Sequence, residues 1–171
     1  MKSLTATAIL ALGVLVVQPA HAGDCVPLAF RELAAGIGRS VSYDVWAKEL
    51  MPDGKTSPSV AAALDSWKKH FPDRPLLCVY SAVKGVPYED RAIDYGATRY
   101  LWVGKIPAKM AADPGSDEAH AAVLVIVSKD RFKLINAIDA EGKQFFIEIL
   151  NEKEFFERTY LVYQVLDKTS P

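Results

Sequence analysis

Little in this chain is suited to holding a metal, gripping nucleic acid or spanning a bilayer. It has three histidines and two cysteines, and His21, His70 and His120 lie too far apart to form a metal-ligand spacing. Its 20 basic and 21 acidic residues nearly cancel, leaving a formal net charge of −1. No cluster of Lys and Arg marks a surface for nucleic acid or an anionic membrane. After residue 22 no apolar run approaches the roughly 20 residues that a membrane helix needs. No repeat or low-complexity segment interrupts the chain, and nothing in it implies a cofactor.

What is present begins with an export pattern. Lys2 supplies a positive start, Ala8 to Val17 a short apolar stretch, and Ala20-His21-Ala22 a small-x-small cleavage pattern. Residues 1–22 therefore read as a signal peptide, with Gly23 as the new N-terminus and a periplasmic or secreted destination. Asp24, where a lipobox would need a small residue, argues against a lipoprotein. The remainder, residues 23–171, has the length of one domain. In an oxidising compartment its two cysteines, Cys25 and Cys78, are candidates for a disulfide. A closed loop of that size would stabilise by roughly 4 kcal/mol.

The pattern along the chain changes once. Asp24 to Gly36, Ser42 to Met51 and a segment from Ser57 to His70 carry apolar residues at helical spacing. Asp24 is a candidate N-cap for the first helix. Ser57-Pro58 is a candidate N-cap and first helical position for the third. From Pro75 onward the period favours strands, at 75–81, 98–104, 120–128, 132–138, 144–150 and 161–166, with one short helix at 151–160. Helices first and strands after predict an α+β domain, N-terminal helices packed on a C-terminal antiparallel sheet. Trp46 and Trp67 read as core anchors, and His70 as a cation at a helix C-terminus.

Three residues carry chemistry in this arrangement. Cys25 starts a helix, where the dipole favours a thiolate. His120 starts the best hairpin in the chain, which turns at Lys129-Asp130. A two-residue turn there sets Ser128 against Arg131 and His120 against Asp139, and directly opposed residues share a face. Asn136, the rival orienter, would then oppose Val123 and point the other way. A thiol, an imidazole and a carboxylate in that order make a nucleophile, a base and the group that orients the base. Asp24 works against the thiolate, being a like charge beside it. Each residue also has a plainer use: Cys25 as a disulfide half, His120 as a core histidine, Asp139 as a turn residue.

The order of these pieces resembles the papain-like cysteine peptidases that process bacteriocin leaders at double-glycine sites, and their free-standing relatives. The resemblance rests on Asp24-Cys25-Val26-Pro27, the helices that follow, His120-Ala121-Ala122-Val123, Ile138-Asp139 with Gly142, and the closing segment from Glu152 to Leu166. It implies a papain-like fold and a peptide or protein substrate. Cys25 would be the nucleophile, His120 the base and Asp139 the orienter. The chain departs from the family in three places. Val26 replaces the usual Gly after the cysteine, and Ala140 replaces Pro. The oxyanion-donating Gln is missing, because Gln18 is one residue too far and leaves with the signal peptide. A peptidase-like binding module without catalysis, or a small exported domain tied by a Cys25–Cys78 disulfide, are the alternatives.

Overall fold

Helix α1 (Cys25–Gly36) buries Leu28, Ala29, Phe30, Leu33 and Ala34 along one stripe, the spacing that seats a helix on a core. It ends where Gly38, at φ +70°, turns the chain left-handed, which glycine does at no steric cost. Helix α2 (Tyr43–Leu50) adds Trp46 and Leu50, and helix α3 (Val60–His70) adds Ala63, Ser66 and Trp67. The computed structural model describes residues 24–54, 56–91, 95–96, 98–105, 119–138 and 144–167. Residues 1–23 and 106–118 lie outside them. Among the described residues no helix is long and apolar enough to cross a membrane.

Six strands follow: β1 (Leu76–Ser81), β2 (Arg99–Gly104), β3 (His120–Ser128), β4 (Arg131–Ile138), β5 (Gln144–Ile149) and β6 (Thr159–Val165), with helix α4 (Glu152–Arg158) before the last. They form one sheet in the order β1-β6-β2-β3-β4-β5, and every neighbouring pair is antiparallel. The chain is thus a mixed α+β structure of four helices and six strands among the described residues.

The sheet is covered on both faces. One face packs Leu101, Ala121, Val123, Leu161 and Tyr163 against α1, α2 and α3. Its helical side is an aromatic cluster: Trp46 and Trp67 stack with centroids 6.1 Å apart, and Phe30 meets each of them edge-on. The other face holds Tyr100, Trp102, Ala122, Leu124, Ile126 and Leu134 with Phe155 of α4. There the buried Trp102 indole donates to Thr159 Oγ1 at 2.9 Å, and Thr159 donates on to Phe155 O. This relay ties β2 to the junction of α4 and β6.

Two capping expectations change. Helix α3 is capped by Ser59, whose Oγ accepts from Ala62 N at 3.2 Å, so Ser57 and Pro58 precede the helix. Asp24 makes no side-chain cap bond, because its backbone is already helical at φ −70° and ψ −11°. Its carboxylate instead accepts from the Tyr43 hydroxyl at 2.7 Å. Asn151 does cap α4, accepting from Lys153 N and Glu154 N.

His70 lies with Lys68 and Lys69 in the last turn of α3, as expected, and it also reaches a neighbouring helix. Its Nε2 lies 2.9 Å from Glu49 Oε2, and Lys69 Nζ lies 3.0 Å from Glu49 Oε1. The last turn of α3 is thereby clamped to α2, with the His70 ring edge-on to Trp46 at 4.5 Å.

Candidate functional site

Cys25 and His120, 95 residues apart in sequence, border one cleft. The cleft opens between the N-terminus of α1, the start of α3 and the sheet. Cys25 and Val26 form one wall, and Ser57, Pro58, Val60, Ala63 and Leu64 form another. Leu101 and Val103 of β2, Tyr163 of β6 and residues 119–121 make the floor. Its free space is about 110 Å³.

The register of β2 and β3 delivers His120 to this place. Leu101 pairs with Val123, Val103 with Ala121 and Gly104 with His120. Gly104 has no room for a side chain: a Cβ there would meet Arg158 O and the Trp102 ring, each at 2.3 Å. Ala121 and Val123 face the helices, whereas Ala122, Leu124 and Ile126 face the second layer. Strict alternation would group His120 with the second set. As the terminal residue of β3 it is half-buried and borders the cleft together with Ala119 and Ala121.

Burial dominates the ionisation of Cys25 and pushes its thiol above the ordinary range. The main-chain N–H groups of Ala121, Val26 and Cys25 itself pull the other way, and Asp24 adds a further upward push. The balance favours a neutral thiol. This differs from the thiolate expected of a helix start, because a helix end buried against a sheet loses the water that would stabilise the anion. Asp24 is itself 4 % exposed, held by the Tyr43 hydroxyl. Burial and that carboxylate both drive the Tyr43 phenol upward. Tyr163, on the cleft floor, is pushed up to about 12, first by burial and then by Cys78.

The two cysteines are free thiols, not a disulfide. Cys78 on β1 donates to Tyr80 O at 3.3 Å, while the Ala121 amide on β3 reaches the Cys25 sulfur. Strands β1 and β3 are three places apart in the sheet, about 14 Å at the usual spacing. Bridged cysteines need Cα atoms within about 7 Å.

The expected facing of His120 and Asp139 rested on a turn register that holds only at Ser128↔Arg131. A bulge follows between Ile126 and Ser128, so that Ile126 pairs with Phe132 and Val123 with Ile135 rather than with Asn136. One extra residue on one strand moves all later partners by one. Asp139 itself lies outside the described residues. Tyr100 and Trp102 are buried in the second layer and do not reach the cleft wall. Ser57, Tyr163 and the Tyr43–Asp24 pair did not stand out in the sequence. Ser57-Pro58 read as a helix start, and no spacing rule links residues 24 and 43.

Among the described residues no group of three or more His, Cys, Asp or Glu is placed to hold a metal ion. The cleft offers a thiol, an imidazole, a hydroxyl and main-chain donors, which is equipment for acyl chemistry. In comparisons with models of known families and with curated proteins, no family model and no curated protein matches the chain.

Proposed function

We propose that the protein is an exported cysteine peptidase of papain-like arrangement, acting on peptide or protein substrates. The observation that carries the reading is the shared cleft of Cys25 and His120, between α1, α3 and the sheet. The export pattern of residues 1–22 supports the periplasmic or secreted destination.

In this reading Cys25 Sγ attacks the substrate carbonyl carbon while its proton passes to the His120 ring. The imidazolium then gives that proton to the departing amine, and a water molecule resolves the thioester by the same route. Because burial keeps the Cys25 thiol neutral, deprotonation accompanies attack rather than preceding it. His120 is needed as a base in the bond-forming step itself. Asp139 is the proposed orienter of His120, and the Cys25 main-chain N–H the proposed oxyanion donor. A missing second donor costs about 10²–10³ in rate, so turnover is slow. Replacing Cys25 by Ala should abolish peptide hydrolysis and leave the far-ultraviolet spectrum and melting temperature close to wild type. Unchanged hydrolysis in that variant would end the proposal.

The raised thiol and the missing Gln favour a second reading, a peptidase-like module that binds peptides without cleaving them. Saturable peptide binding with no thioester on Cys25 by intact mass would identify it.

A further inference from the structure

We infer that Tyr43 is a positioning residue of this site: its hydroxyl holds the Asp24 carboxylate away from the first turn of α1 and so leaves that helix end open to the anion of the reaction. This rests on the peptidase reading and adds a residue to it. An aspartate just ahead of a helix ordinarily caps it, accepting from the second or third main-chain N–H of the helix. In α1 the third position is Pro27, which has no N–H, so a capping Asp24 would have to take the N–H of Val26. Asp24 makes no such bond. The Val26 and Cys25 N–H groups bear instead on the Cys25 sulfur, and Leu28 N donates to Asp24 O at 3.1 Å. The carboxylate, almost without solvent, accepts from the Tyr43 hydroxyl at 2.7 Å. Tyr43 is the first residue of α2, and α2 packs on α1 through the edge-on contact of Phe30 with Trp46. The packing of two helices thus delivers the hydroxyl. Burial and the carboxylate raise its phenol, which therefore stays a donor at neutral pH. A helix N-terminus favours an anion, and a carboxylate in the cap position would answer that preference permanently. With Asp24 held aside, the end of α1 serves the oxygen anion that forms when Sγ adds to a carbonyl. Without the hydroxyl, Asp24 turns into the cap, takes the Val26 N–H and faces the new anion with a like charge.

The test is a reversible adduct and needs no turnover. The probe is acetyl-diglycyl trifluoromethyl ketone, whose fluorines make the adduct oxygen acidic enough to stay ionised. The Cys25 sulfur adds to the ketone carbon, the carbonyl electron pair moves onto the oxygen, and the thiol proton goes to His120. Fluorine NMR of the mature protein titrated with the ketone gives the dissociation constant, and Cys25→Ala identifies the adduct signal. Tyr43→Phe should weaken the adduct about tenfold. Asp24→Ala should bind at least as tightly as wild type, and adding Tyr43→Phe to it should change the constant by less than about twofold. Removing Asp24 would not rescue a loss that came from packing around Tyr43. Asp24→Leu, closer in size, takes the place of Asp24→Ala if the alanine variant fails to fold. An unchanged constant in Tyr43→Phe, or a tenfold loss that persists when Asp24 is replaced, would overturn the positioning role and leave the peptidase reading standing. A wild type that forms no more adduct than Cys25→Ala would overturn both.

Discussion

A carboxylate one residue before a thiol opposes the thiol's ionisation, and Asp24 occupies that place almost without solvent. The Tyr43 hydroxyl answers it with a 2.7 Å hydrogen bond, drawing part of the negative charge away from Cys25. Alkylation by iodoacetamide proceeds through the thiolate, so its rate against pH reports this balance. In wild type the rate should keep rising with pH beyond the ordinary thiol range, because Cys25 is pushed up. Asp24→Asn removes one upward push and should move the profile to lower pH. Tyr43→Phe should move it the other way, since the carboxylate then faces the sulfur with one donor fewer. Identical profiles in the three proteins would show that the pair holds α1 to α2 without touching the thiol.

The clamp between α2 and α3 belongs to the scale of elements. Burial alone would raise the Glu49 carboxyl, but hydrogen bonds from His70 and Lys69 outweigh it and hold Glu49 below its ordinary value. A depressed carboxyl contributes stability that is full above the unfolded value near 4.5. That contribution is lost as pH falls through the lowered folded value. Glu49→Gln should therefore cost about 1 kcal/mol near pH 7, and the gap from wild type in thermal melts should close below about pH 4. A gap that stays constant with pH would assign the loss to packing. The elements themselves were legible in the residues, because apolar spacing switches from helical to alternating after Pro75 and each switch buries a face. Bulges were not, since a single extra residue leaves no mark on a period of two. Thus Ser128↔Arg131 was readable, and Val123↔Ile135 was not. Capping was half legible: Ser57 and Ser59 have the same chemistry, and only the path of the chain selects Ser59. Of the site, Cys25 and His120 could be read from their positions at element starts. The cleft walls could not, because Val60, Leu101 and Tyr163 meet only through the sheet order.

Across the whole molecule, two layers of core on a single sheet do the work that a covalent tie does in many small exported domains. The melting temperature should not move when reductant is added, and the unreduced, denatured protein should titrate as two thiols per chain. A fall of several degrees on reduction, with Cys25 and Cys78 recovered in one linked peptide, would contradict the free thiols described above.

The order of the sheet also sets a timetable. β6, the last described strand in sequence, lies between β1 and β2, and among the described residues β1 pairs with no other strand. β1 and β6, two of the six strands, wait for residues near 165, however early β1 is made. Such long-range pairing slows folding. A chain threaded from its N-terminus can begin to stack helices and close the β3–β4 hairpin, but it cannot lock until almost all of it has passed through. The strand that comes last thus leaves one edge of the sheet open until the chain is nearly complete, and then shuts it.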